Sequence, residues 1–319
     1  NPVIRAVCGS TNAPSRGSRP LRSPYPAVIV PKYQPVNAFS PAGSLSTGIP
    51  GFTFPDLSTG IIDIPNTVVT NSLLGGEFRR GYIISYNLTV QQELGGGFVV
   101  QTGYVGTRSI RQALTYFNYN AGIVVGAGAN GRPLSGRYGV NVDRNFFIPM
   151  AYQRYDGWQT TLSRQRRGGL FLTTSYTWAK AIGMNAGNSD NGLRFYVPSE
   201  FYRNWYASDF DRTHSWVGAA NYELPFGKGK KYATGGAAAA ILGGWQVNPL
   251  FTFYTGLPFI VASDGASLNA PGNTQVADQI NGAVNKLGGV GAGGPFYDPT
   301  AFTAVRDPRV GNMGVKALR

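Results

Sequence analysis

Residues 82–107 read YIISYNLTVQQELGGGFVVQTGYVGT, and their alternation decides the fold. Tyr82, Ile84, Tyr86, Leu88 and Val90 are apolar, while Ser85, Asn87, Thr89, Gln91 and Glu93 are polar; only Ile83 breaks the pattern. Successive side chains of a strand point to opposite faces, so this segment has one oily and one wet face. Gly95, Gly96 and Gly97 permit the positive φ angles of a tight reversal. Phe98, Val100, Thr102 and Tyr104 then continue one face, with Gln101 and Gly103 on the other.

The same unit recurs twice. In residues 155–165, Trp158, Thr160 and Leu162 alternate with Gln159, Thr161 and Ser163. After the turn Arg166-Arg167-Gly168-Gly169, Leu170, Leu172, Thr174, Tyr176 and Trp178 alternate with Thr173, Ser175 and Thr177. Residues 213–224 set His214, Trp216, Gly218, Ala220, Tyr222 and Leu224 against Ser215, Val217, Ala219, Asn221 and Glu223. Residues 244–255 follow, with Trp245, Val247, Phe251 and Phe253 against Gln246, Asn248 and Thr252. This last strand is the weakest, because Pro249 cannot donate to a ladder.

Between these units the chain is irregular. Residues 1–78 are punctuated by proline, with brief strands expected at 27–30 and 61–64; residues 108–152, 181–208 and 257–319 also lack alternation. Residues 226–243 form a connection of middle length, with Lys228, Lys230, Lys231 and an alanine run. The expected organisation is one partial barrel domain over 1–319. It has a long loop region at 1–78, three hairpins at 79–256, and a long loop at 257–319 ahead of further strands.

Composition agrees with an all-β chain. Of 319 residues 44 are Gly, 18 Tyr and 18 Phe, and only 13% are charged. No apolar run is long enough for a transmembrane helix, whereas barrel strands need only about 9–11 residues each. Cys8 is the only cysteine and His214 the only histidine, which leaves little for a Cys/His metal cluster. Asn1 is not an initiator, so the chain reads as mature, processed or a fragment. The formal charge of +13 admits nucleic acid or anionic lipid as partners. Nucleic acid is not expected, since the charges scatter along loops without a stripe or known module.

Long and short connections alternate along the chain. A soluble sandwich has no reason to gather its long loops at one end, but an outer-membrane barrel has periplasmic turns and long external loops. An antiparallel transmembrane β-barrel segment is therefore expected, lipid on the apolar face and water on the polar one. Arg79, Arg80, Arg108, Arg154, Lys180 and Arg212 would then form a collar at the outer strand ends, level with lipopolysaccharide phosphates. Trp158, Trp178, Trp216 and Trp245 would form interfacial girdles. Bacterial single-chain barrels start at about eight strands, so the recognisable strands read as a slice of a larger barrel.

The strings SDFDRTHSW (208–216), YELPFGKGKKY (222–232), GGWQV (243–247) and TGLPF (255–259) resemble the C-terminal barrel of the Oar-like TonB-dependent transporter family. FRRGYIISYNLTVQQEL (78–94), GYVGTR (103–108), TSYTWAKAI (174–182) and YDPTAF (297–302) extend the similarity over most of the chain from about residue 24. The resemblance implies a barrel of about 22 strands, a plug, energy from the TonB complex, and a gated pore for uptake or export of an extracellular substrate. The chain departs from a complete member in lacking a plug, a TonB box, a carboxypeptidase-regulatory-like domain and the last barrel strands.

Other motifs carry less. The glycines at 289–294 have dinucleotide-loop spacing but run straight into Pro295, which reads as a loop. Residues 227–231 (GKGKK) lack the spaced glycine and hydroxyl of a phosphate loop and read as a basic turn. His214 has no Gly-x-Ser-x-Gly elbow beside it and reads as a strand residue near the outer interface. Asp209 and Asp211 with Arg212 read as a loop-anchoring ion pair. Residues 185–192 (NAGNSDNG) lack the spaced acids of a calcium loop. No catalysis and no cofactor are expected. Candidate cargo contacts are the loop aromatics Tyr116, Phe117, Tyr119, Phe195, Tyr196, Phe201, Tyr202 and Trp205, weighed against packing of the loops on one another. The competing reading is a secreted Gly-rich β-sandwich or adhesin without a pore, which requires the aromatic face to be buried.

Overall fold

The computed structural model describes residues 79–184, 192–291 and 293–319, and before them 22–23, 27–30, 44, 46, 48, 56, 58, 62–63, 66 and 68–73. The 185–192 motif therefore lies outside the described residues, Gly192 apart. Short strands come first: β1 (Arg22–Ser23), β2 (Ala27–Val30), β3 (Ile62–Asp63) and β4 (Val69–Leu73). The main strands are β5 (Tyr82–Leu94), β6 (Phe98–Asn118), β7 (Arg144–Arg167), β8 (Leu170–Gly183), β10 (His214–Glu223) and β12 (Leu250–Tyr254). Each is antiparallel to the next in that order. Little β9 (Tyr206–Ala207) pairs with the end of β8, and β11 (Gln246–Val247) with the end of β10. β4 joins β7 in parallel and β2 joins β4, while β13 (Asp278–Gln279) and β14 (Phe302–Thr303) pair apart from the sheet.

Register carries the alternation of each strand across the whole sheet. Leu88, Tyr104, Trp158, Trp178 and His214 form one row, and Thr89, Gly103, Gln159, Thr177, Ser215 and Tyr254 the neighbouring row on the other face. One face is thus aliphatic and aromatic and the other hydroxyl and amide. The apolar face is uncovered: every residue of β5 is exposed, Leu88 at 72%, with Trp178 at 58% and Phe253 at 60%. A soluble sandwich would bury this face, which is the opposite of what is seen. Among the described residues no helix is long and apolar enough to cross a membrane.

The turns at one end are short. Gly96 and Gly97 at φ 76° and 81° close β5 onto β6, and Gly168 and Gly169 at 60° and 82° close β7 onto β8. The predicted weak point is real. The last strand divides into β11 and β12 at Asn248 and Pro249, and the proline contributes only its carbonyl, which accepts from the Ala220 N–H at 3.0 Å.

Three features differ from the sequence expectation. β6 and β7 run far into residues 108–152, which show no alternation. The pairing shifts register between Ser109 and Gln112, between Gln112 and Ala113, and between Leu114 and Phe117. Arg111 is left-handed at φ 55°. Each irregularity swaps the faces, so a continuous strand loses its period of two. The alanine run forms helix α2 (Gly236–Leu242), as alanine and leucine favour; the four-residue α1 (Ser135–Tyr138) precedes it in the chain.

The third difference is the packing of the long connections. They form a cap with its own cores at the end opposite the short turns. Phe195, Tyr206, Val276, Met313 and Val315 make one core, Leu114, Ala121, Ala151, Leu193 and Tyr196 a second, and Val197, Leu268 and Ala270 a third. Fully burying a side chain of this kind contributes about 1.5–3 kcal/mol. Burial is concentrated in the cap, while the apolar face of the sheet keeps its large side chains in the open.

Candidate functional site

The polar face leads up to the cap. Along it Thr161 and Ser175 exchange a hydroxyl hydrogen bond of 2.9 Å across β7 and β8. Nearer the cap a cleft of about 470 Å³ opens, lined by Thr107, Tyr155, Gln159, Thr177, Phe210 and Arg212 among others. Residues 208–212 roof it. The roof is anchored by Asp211, 2% exposed, which accepts the Ala181 N–H at 2.6 Å. The same carboxylate lies 3.5 Å from Lys180 and pairs with Arg319, whose guanidinium also donates to the Asp211 carbonyl at 3.1 Å. The loop anchor expected at Asp209 and Asp211 thus exists with other partners than Arg212, since Asp209 pairs with Lys316.

Arg212 leaves the expected collar. It donates to the Thr255 carbonyl at 3.2 Å and lies 4.7 Å from the centre of the Tyr254 ring, on the polar face. Arg108, Arg154 and Lys180 do sit together at the cap end of the apolar face, around Asp156. Arg79 and Arg80 are exposed in the segment that enters β5. Trp158 and Trp178 face each other one row below the charges, and Trp216 lies one row further on, edge to face with Phe251 at 5.0 Å. Trp245 stands at the short-turn end, its indole N–H donating to the Ile241 carbonyl at 2.8 Å. His214 is on the apolar face beside Trp178, with Nδ1 2.7 Å from the Tyr176 hydroxyl.

The candidate cargo aromatics divide by burial. Phe195 and Tyr196 are inside the cap cores, where Phe117 and Phe201 pack against Tyr196 and its neighbours. Tyr119 stacks on Phe146 at 4.1 Å. Burial pushes the Tyr196 phenol up, and its oxygen accepts the Asn118 N–H at 3.0 Å. Packing thus occupies these five side chains, leaving Tyr116, Tyr202 and Trp205 exposed at 40%, 74% and 42%.

The residues that hold the cap together gave no sequence signal. Asn204 is fully buried: its Oδ1 accepts the N–H groups of Arg194 and Phe195, and its Nδ2 donates to the carbonyls of Phe195 and Phe201. Asn273 does the same for three segments, accepting from Tyr196 and Val197 and donating to Gly122 and Ala270. Such side chains replace the ladder that irregular backbone lacks. Arg144 is fully buried, accepts the Tyr119 N–H on its carbonyl at 2.9 Å and donates from its side chain to the Val68 carbonyl, fixing the entering segment.

The arrangement is a wall: lipid-compatible on one side, water-compatible on the other, closed over at one end by an ordered cap. A family model described as an outer membrane beta barrel domain matches residues 1–319. Comparison with curated proteins and with solved structures finds no match.

Proposed function

This chain belongs to the outer membrane beta barrel domain family of the bacterial outer membrane, and we propose that it forms part of the wall of a TonB-dependent transporter barrel of the Oar-like type. The observation that carries this reading is the continuous polar face that runs from the short turns to the cleft beneath the cap. Hydroxyls and amides there suit a water-filled lumen, and the apolar back suits lipid. The motifs at 208–232 and 243–259 supply the Oar-like assignment.

Both edges of the sheet support a larger barrel. Among the described residues β5 pairs only with β6, and β12 only with β10. An open ladder within hydrocarbon leaves backbone groups unsatisfied at several kcal/mol each. Further strands therefore complete the wall, short turns in the periplasm and cap outside. Its work is passage of an external substrate without a catalytic step. In this reading the exposed Tyr116, Tyr202 and Trp205, with Phe210 and Arg212 in the cleft, are the first side chains to test for contact with that substrate. Coupling is tested by site-directed photocrosslinking of the full-length protein to TonB in living cells. A crosslink that disappears when the proton gradient is collapsed supports the reading; a barrel that never crosslinks to TonB rejects it.

A further inference from the structure

At the cap end of the apolar face lies a constellation that a pore wall does not require. Arg108 and Arg154 are directly opposite each other on β6 and β7, and Lys180 is opposite Asp156 on β7 and β8. Like charges facing across a strand pair repel. Asp156 answers for both arginines, 2.8 Å from Arg108 and 3.4 Å from Arg154, and it also accepts the Tyr104 hydroxyl. Among the described residues Lys180 pairs with Asp211, 3.5 Å away, which Arg319 also claims. Arg108 and Arg154 thus share Asp156, Lys180 shares Asp211 with Arg319, and Arg154 and Lys180 each remain 49% exposed. An anion from outside would relieve the repulsion.

One row toward the membrane middle, Trp158 and Trp178 stand side by side and exposed. Between these indoles and the charges is a cleft of about 350 Å³, lined by Tyr104, Asp156, Trp158, Trp178, Lys180 and Thr213. An apolar slot whose outer lip is cationic has the shape of an acyl chain followed by a phosphate.

We propose that this rim is a lipopolysaccharide site. Arg154 and Lys180 hold a lipid A phosphate, and one acyl chain lies in the Trp158–Trp178 cleft. Arg108 already donates to the Thr107 and Tyr155 carbonyls and to Asp156, so it adds positive charge at the lip, while the more exposed Arg154 and Lys180 supply the donors that reach the phosphate. The choice of lipopolysaccharide over phospholipid rests on the orientation proposed above, which puts the cap end in the outer leaflet.

The test uses the full-length protein, extracted and delipidated, with native mass spectrometry to read binding. The probes are diphosphoryl lipid A, dephosphorylated lipid A and phosphatidylglycerol. The wild-type protein is expected to retain diphosphoryl lipid A, and the Arg154→Gln/Lys180→Gln variant to bind it at least about tenfold more weakly. Removing the phosphates from the lipid should produce a similar loss on the wild type. Lys228→Gln/Lys231→Gln, at the other end of the sheet, should change nothing. Equal binding by the rim variant overturns the site, as does equal binding of dephosphorylated lipid A. Phosphatidylglycerol bound as tightly at the same residues overturns it too, by placing the rim in the inner leaflet. Heat-modifiable migration of each protein reports barrel integrity separately. If the rim variant does not fold, the phosphate dependence on the wild type still decides, and neither readout depends on TonB coupling.

Discussion

Trp158 and Trp178 lie directly opposite one another on β7 and β8, on the uncovered face of the sheet and one row below the charged rim. In the proposed orientation, indoles at that level, with Thr, Leu and Phe further down and Arg and Lys above, would mark the boundary between hydrocarbon and headgroup.

That boundary predicts an asymmetry between neighbouring residues of β5. Val90→Arg puts a cation into the apolar face and should cost about 2–4 kcal/mol of folding free energy in lipid. Gln91→Arg, one residue on, points to the polar side and should cost less than about 0.5 kcal/mol. Denaturant unfolding in phospholipid vesicles measures both.

The cap predicts a different asymmetry. Phe195 is fully buried and Tyr202 is 74% exposed. Phe195→Ala should cost the cap about 3–5 kcal/mol, and Tyr202→Ala almost nothing. Limited proteolysis of the cap segments should accelerate in the first variant alone, while barrel migration stays the same in both.

Asn204 predicts the strength of a hydrogen-bond knot. Asn204→Leu leaves the N–H groups of Arg194 and Phe195 without their acceptor, at about 1–3 kcal/mol for each buried group. Amide exchange at residues 194–204 should rise well above wild type, with exchange in β5–β8 unchanged.

The cap should also loosen in acid. Arg309 holds the Asp278 carboxyl below the usual carboxylate range through two hydrogen bonds of 2.9 and 2.6 Å, and the Asn312 N–H adds another at 2.9 Å. A carboxylate whose folded pKa is depressed stabilises the fold above its unfolded value of about 3.9, and that stability is lost as pH falls through the folded value. Exchange at residues 275–279 and 309–313 should therefore rise below about pH 4 in the wild type. Asp278→Asn should show raised exchange already at neutral pH, with a flatter acid dependence.

The strands were legible wherever their faces alternated without interruption. The runs at 82–94, 170–178 and 214–223 read directly, as did the break at Pro249. The outer halves of β6 and β7 were not, because their register shifts and the left-handed Arg111 scramble the period. The cap was illegible for another reason: its order comes from contacts between residues distant in sequence, such as Asn273 with Tyr196, and these impose no periodicity. Of the candidate site, Arg108, Arg154 and Lys180 do come together, but within β6, β7 and β8 and not at strand ends, because β6 runs on to Asn118 and β7 begins at Arg144. Arg212 does not join them, because the chain bends before β10 and turns its side chain to Tyr254.

The most direct measurement is alternate-site accessibility along one strand. In a Cys8→Ser background of the full-length protein, single cysteines at positions 87, 88, 89, 90 and 91 are challenged in intact outer membranes with a small, water-soluble, lipid-impermeant thiol reagent. Labelling is expected at 87, 89 and 91 and protection at 88 and 90. Uniform labelling, or protection at the odd positions instead, would contradict a wall with lipid on its apolar side and water on its polar one.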